Sequence, residues 1–241
     1  AKLKEEGKIR YYGFSFHDDY EVFDEILHYR DWDFCQIQYN YMDTQEQAGD
    51  KGYALAESLG VPLVIMEPIT GGSLANFSED INDRFHKMDP DRSVASYALR
   101  WVGSHPNVKV ILSGMSTMDQ VEDNLKTFQD FSPLSEAEEK EIESIVTELR
   151  SRVQNGCTGC RYCMPCPAGV NIPGNFKVWN NYHMYRTYDH VKWSWEKELK
   201  EEEKAKNCIK CGKCETLCPQ KLSIRDNLVQ VQKDLDERIF K

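Results

Sequence analysis

Up to residue 128, the hydrophobic positions switch repeatedly between a period of two and a period near 3.6. KIRYYGFSF (8–16) is rich in aromatic and β-branched residues and predicts a strand. DDYEVFDEIL follows, with Phe23, Ile26 and Leu27 at helical spacing and Asp18 expected as N-cap, answered by Glu21. DFCQIQYNY (33–41) alternates, with Cys35, Ile37 and Tyr39 on one face and Gln36, Gln38 and Asn40 on the other. A helix is expected over 44–59, then a strand over 61–67 and a glycine-rich loop to about residue 91. Helix 93–105, strand 108–114 and helix 116–128 complete the fourth βα unit. The last of these helices carries a Thr117/Gln120 capping box and an apolar stripe of Met118, Val121, Leu125 and Phe128. A further helix opens on a Ser135/Glu138 box and places Ile142, Ile145, Val146 and Leu149 on one side.

Four βα units fit a doubly wound open sheet or half of a (β/α)8 TIM-type barrel. A parallel sheet buried on both faces favours apolar runs. Gln36, Gln38 and Asn40 instead suggest a strand that points polar groups into a barrel lumen. The pattern therefore favours the half-barrel.

The chain has 241 residues and is 40% hydrophobic, enough for a packed core. Its formal net charge of −10 argues against a nucleic-acid partner. No apolar run approaches the roughly 18 residues of a membrane span. The charged opening AKLKEEGKIR is not a signal peptide and reads as the middle of a longer protein. Nine cysteines without an export signal imply metal chemistry in a reducing, cytoplasmic compartment.

Eight of those cysteines lie between Cys157 and Cys218, which sets an expected boundary between domains 1–153 and 154–241. Cys208, Cys211, Cys214 and Cys218, followed by Pro219, have the spacing of bacterial [4Fe–4S] ferredoxins. Cys157, Cys160, Cys163 and Cys166, followed by Pro167, repeat it with a final gap one residue shorter. In this pattern the last cysteine of a run ligates the other cluster. One cluster would then use Cys157, Cys160, Cys163 and Cys218, and the other Cys208, Cys211, Cys214 and Cys166. The alternative is a pair of structural zinc sites, although zinc ribbons use pairs of C-x2-C and not triplets ending in Cys-Pro. The 41 residues from Pro167 to Asn207 read as helical and aromatic-rich, which implies a mostly helical ferredoxin-like domain. Within them EKELKEEEKAK (196–206) reads as a solvated helix face. No internal repeat is evident beyond the two cysteine runs.

GKIRYYGFSFHD, DFCQIQYNYMD, VPLVIMEPITGGSLA, ALRWVGSHPNVKVILSGMSTMDQVEDNL and CTGCRYCMPCPAGVNIPG, in this order, resemble the C-terminal portion of the iron–sulfur-containing aldo/keto reductases. The resemblance implies strands five to eight of a (β/α)8 barrel that binds NAD(P)H at its C-terminal mouth. It assigns Ser15 and Gln36 to the nicotinamide carboxamide, with Phe16 where the family has asparagine. Met66 stands where the family stacks a tyrosine on the nicotinamide. Asn124 matches the adenine-contacting asparagine, with Asp123 beside it. Gly114 and Gln120 stand where lysine and arginine usually take the 2′-phosphate of NADP. The backbone at Ser116 and Thr117, at a helix N-terminus, is left as a phosphate donor.

The family's catalytic tetrad lies on the first four strands, so no catalytic residue is assigned here, and His17, Tyr39 and Tyr41 are not promoted to that role. Glu67, at a strand's C-terminal end, is a weaker site candidate. The implied protein is a nicotinamide-dependent oxidoreductase with two [4Fe–4S] clusters, acting on a small carbonyl or other redox substrate and exchanging electrons with a redox partner protein. This stretch alone is expected to be inactive and, with open sheet edges, prone to self-association. The competing readings are an electron-transfer module on a non-catalytic barrel scaffold, and a structural zinc protein.

Overall fold

Four short strands carry the first part of the chain, and they pair in the order in which they are made. The computed structural model describes residues 2–186 and 188–239. After one turn of helix, α1 (Lys2–Glu5), come β1 (Gly13–Ser15), α2 (Tyr20–Tyr29), β2 (Phe34–Gln38), α3 (Gly49–Ser58) and β3 (Leu63–Met66). Next are α4 (Glu79–Met88), α5 (Val94–Gly103), β4 (Val108–Ile111), α6 (Met118–Gln129) and α7 (Glu136–Ser151). Every strand pairing is parallel, in the order β1-β2-β3-β4. The chain divides into two compact units, one ending at Val146 and the other starting at Thr147.

Alternation along the strands separates two faces. Cys35, Ile37, Leu63 and Ile65 are fully buried, packed with Phe23 and Leu27 of α2, Tyr53 and Ala56 of α3 and Val102 of α5. Gln36, Gln38, Val64 and Met66 stand on the opposite face and are only half buried. The register sets Ser15 beside Gln36 and Gln38 beside Met66.

Both expected capping boxes form. Thr117 and Gln120 cap α6 reciprocally, and the Ser135 hydroxyl and Glu138 carboxylate do the same for α7. Ile142, Ile145 and Leu149 of α7 are buried as its stripe requires.

Several local expectations need correction. Only Gly13–Ser15 of the 8–16 stretch pairs as strand. The N-cap position of α2 is Asp19, whose side chain makes no capping hydrogen bond; Asp18 instead accepts the Asp19 N–H at 2.8 Å. The helix expected from residue 44 starts at Gly49. The glycine-rich loop contains α4, whose Ile81 and Phe85, four residues apart, are both buried. The α6 stripe is exposed rather than packed, with Met118 67% and Leu125 62% accessible.

In the second unit, α8 (Ile172–Tyr185), α9 (Tyr188–Trp193), α10 (Lys213–Leu217) and α11 (Ile224–Gln232) enclose a core of Phe176, Trp179, Trp195, Leu228 and Val231. The charged stretch 196–206 is a set of short turns, not a solvated helix. Lys204 in it is buried, lying over the Trp195 ring and paired with Glu201.

The repeat extends well beyond the cysteines. Gly159 and Lys210, two residues after each first cysteine, share positive φ (71° and 57°), and Arg161 and Gly212 do so after each second cysteine (64° and 80°). Three residues past each last cysteine, Gly169 and Lys221 again have positive φ and return an N–H to the cysteine carbonyl, at 3.0 and 3.2 Å. A helix then starts six residues after each last cysteine, at Ile172 and Ile224. Three of the six left-handed positions hold glycine, Gly159, Gly169 and Gly212, and no matched pair holds it in both runs, so the repeat is concealed in composition while explicit in the backbone.

Candidate functional site

The two cysteine runs are aimed by α8. Buried Asn175 on this helix accepts the Ala205 N–H through Oδ1 at 2.8 Å and donates to the carbonyls of Asn171 and Glu203. Ala205 lies three residues before Cys208. One and a half turns further along, Asn180 accepts the N–H groups of Gln154 and Asn155 and donates to the Asn155 carbonyl. Asn155 in turn accepts the Cys157 N–H at 3.1 Å. One helix thus anchors the entry to both runs.

Each run is closed by a cysteine from the other. Cys157, Cys160, Cys163 and Cys218 line one cavity, walled by Pro173, Phe176, Leu222 and Ile224. Cys166, Cys208, Cys211 and Cys214 line a second, with Cys163, Leu228 and Arg225. Cys163 and Ile172 border both cavities. No disulfide joins any of the nine cysteines.

Burial pushes the Cys163 thiol up, and the neighbouring Cys157, Cys160 and Cys218 add to the shift. Burial also pushes Cys214 to about 11, with the Glu215 carboxylate next in effect. Thiols so placed stay protonated near neutral pH unless a cationic centre takes them as thiolates. Two sets of four thiols around apolar-walled cavities fit a pair of iron–sulfur clusters in donor chemistry and number.

A separate cavity of about 640 Å³ lies at the C-terminal ends of β3 and β4 in the first unit. Met66, Glu67, Gly71, Gly72, Leu112, Gly114, Ser116, Gln120, Asp123 and Asn124 are among its lining residues. This volume falls within the roughly 300–1,000 Å³ of small-molecule sites. Gln36 joins it to the polar sheet face: its Nε2 donates to the Ser15 hydroxyl at 3.2 Å and to the Met66 sulfur at 3.4 Å. The three candidate nicotinamide contacts are thus one connected group, although Ser15, Gln36 and Thr117 lie outside the cavity lining. Asn124 donates to the Ser113 hydroxyl at 2.9 Å.

The aldo/keto reductase family model matches residues 1–147, and a 4Fe-4S dicluster domain model matches residues 156–222. The chain belongs to the aldo/keto reductase family. An aldo-keto reductase of Bacillus halodurans in its holo form is 25% identical, over 59% of this chain and 52% of its own, with a TM-score of 0.48. An aldo/keto reductase of Klebsiella pneumoniae in complex with NADP and acetate is 21% identical, over 60% and 51%, with a TM-score of 0.50. The latter likeness is one of fold. The chain spans about half the length of the solved aldo-keto reductases it matches. No curated protein matches it at a significant level.

Within this aldo/keto reductase chain, the residues set aside as catalytic candidates have other surroundings. Tyr39 is buried, and its hydroxyl donates to Asp50 at 2.8 Å; burial and that carboxylate hold the phenol well above its ordinary range. His17 is exposed, and burial pushes the Cys35 thiol up to about 12. Sequence reasoning missed Asn175 and Asn180, which carry no motif. It also missed Ser93, whose hydroxyl both caps α5 and donates to Asp123 at 2.6 Å. The Ser-x-x-Ser spacing at 93–96 was the available signal for that cap. Among the described residues no helix is long and apolar enough to cross a membrane.

Proposed function

We propose that the chain supplies strands five to eight of a (β/α)8 oxidoreductase that takes a nicotinamide cofactor at the C-terminal edge of the sheet. Its second domain holds two [4Fe–4S] clusters, one on Cys157, Cys160, Cys163 and Cys218, the other on Cys166, Cys208, Cys211 and Cys214. The observation that carries this reading is the crossed closure of the two cysteine runs around two separate apolar-walled cavities.

The barrel part of the reading rests on the sheet. Sequential strand order with helices packed on one face suits a barrel wall, whereas a doubly wound sheet reverses its order at a switch point. Val110, Leu112, Met118, Leu125 and Phe128 of β4, its following loop and α6 are exposed, as expected where further strands and helices of the barrel would pack. Gln36 and Ser15 would orient the carboxamide of the nicotinamide, and Met66 would lie against its ring. When bound, a nicotinamide supplies a hydride and each cluster takes or gives single electrons. The substrate class that follows is a small carbonyl or other two-electron acceptor.

Reductive titration of anaerobic protein, followed by visible absorbance and electron paramagnetic resonance, tests the reading. Uptake of two single electrons per chain supports it. A colourless protein that accepts none rejects it.

A further inference from the structure

Resting on the reading of the 640 Å³ cavity as a nicotinamide site, we propose that this site takes the unphosphorylated dinucleotide NAD(H) and discriminates against NADP(H). The two differ by one phosphate on the adenosine ribose, which adds up to about two negative charges near neutral pH. A site that accepts it has to supply cations or unpaired N–H groups.

The lining supplies no cation. It includes no lysine or arginine, and it includes two carboxylates, Glu67 and Asp123. The Ser93 hydroxyl donates to Asp123 Oδ2 at 2.6 Å, which fixes this carboxylate in place. A fixed carboxylate repels a phosphate, but it accepts hydrogen bonds from the free hydroxyls of an unphosphorylated ribose.

The second resource, the amides that the start of α6 brings to this lining, Ser116 and Gln120, is already used internally. Gln120 Oε1 accepts the N–H of Ser116 at 2.6 Å and of Thr117 at 3.2 Å. Thr117 Oγ1 accepts the Gln120 N–H at 3.3 Å. A phosphate could claim these amides only by dismantling the capping box, at a cost typical of losing an N-cap. The carboxamide that closes the box thus stands where an anion would dock. Gly114, in the same lining, leaves the space a cation would need empty: a Cβ added there meets nothing within 4 Å.

That open space makes the proposal testable. Equilibrium binding of NADH and NADPH to the intact native chain, loaded with its clusters, is followed by nicotinamide fluorescence. The variants are Gly114→Lys, which adds a cation, and Gly114→Ala, which adds only the Cβ. The proposal expects NADH to bind at least tenfold more tightly than NADPH. It expects Gly114→Lys to raise NADPH affinity about tenfold with little change for NADH, and Gly114→Ala to leave both unchanged. Equal or tighter binding of NADPH to the unmodified protein overturns the preference and leaves the nicotinamide reading standing. If neither nucleotide binds, the nicotinamide reading falls and the preference falls with it.

Discussion

Arg100 grips Glu138 with both arms of its guanidinium, Nη1 to Oε1 at 2.6 Å and Nη2 to Oε2 at 3.1 Å. The arginine side chain is only 3% exposed and also donates to the carbonyls of Ser132 and Pro133. Glu138 simultaneously closes the capping box of α7 through the Ser135 N–H. One pair therefore ties α5 to the start of α7.

Removing the carboxylate leaves a buried guanidinium whose remaining partners, the Ser132 and Pro133 carbonyls and the Ser132 hydroxyl, are all uncharged. Glu138→Ala should destabilise the first unit by about 3–5 kcal/mol, the range for breaking a buried pair. The midpoint of urea denaturation, read by tryptophan fluorescence, checks this.

The same pair predicts acid sensitivity. Burial alone would raise the Glu138 carboxyl, but Arg100 and Ser135 overcome it and hold the carboxyl at about 2, against an ordinary 4.5. A group whose folded value is lowered contributes stability that is fully present above the unfolded value and is lost as pH falls through the folded one. Glu138 should therefore contribute fully above pH 4.5 and lose its contribution between 4.5 and about 2. Glu138→Gln should flatten the stability–pH curve in that window and leave its slope above pH 5 unchanged.

The crossed closure of the cysteine runs predicts an exchange of phenotypes. Cys218→Ser should unsettle the cluster on Cys157, Cys160 and Cys163 while sparing the one on Cys208, Cys211 and Cys214. Cys166→Ser should do the reverse. The two variants should each fall from about eight iron atoms per chain to about four, with different spectra for the remaining cluster. Identical residual spectra would contradict the crossing.

Asn175 offers a test of how α8 aims the second run. All three of its polar contacts are to backbone groups, and it is fully buried. Asn175→Leu should cost about 1–3 kcal/mol through the stranded Ala205 N–H, while the Glu203 carbonyl keeps the Asn171 N–H. Loss of iron to a chelator should quicken from the Cys208 run more than from the Cys157 run, as followed by the decay of each cluster's spectrum.

A methyl group at Gly13 should act on the sheet itself. A Cβ there would lie 2.2 Å from the Phe34 carbonyl oxygen, which is backbone and cannot rotate away. Gly13→Ala should push β1 off β2 at a cost of about 1–3 kcal/mol. Weaker nicotinamide binding should accompany it, because Ser15 and Gln36 meet across that pairing.

What was legible in the sequence was whatever repeats locally. The period-two run at Cys35–Tyr39 placed the buried and polar faces of β2, and the Ser/Thr-x-x-Glu/Gln pairs located the starts of α6 and α7. Cysteine spacing suggested a crossed grouping of the eight thiols, and the same two sets line the two cavities. Features that depend on distant partners were hidden. The stripe on α6 looked like a core face, yet burial depends on what lies opposite, which no local pattern reports. Helix α4 was masked by the Gly, Asn and Asp residues around it, which carry turn signals stronger than the two apolar residues that anchor it. Asn175 and Asn180 take their roles entirely from tertiary placement. Lys204 read as solvated from its charged neighbours, but its ammonium lies over the Trp195 ring.

The central claim is that the eight clustered cysteines hold redox clusters and not single ions. The most direct test is iron, acid-labile sulfide and zinc per chain on protein purified without oxygen. The account predicts about eight iron and eight sulfide, as two [4Fe–4S] clusters require. About two zinc and no sulfide would make the cysteine domain a structural clip and contradict the account.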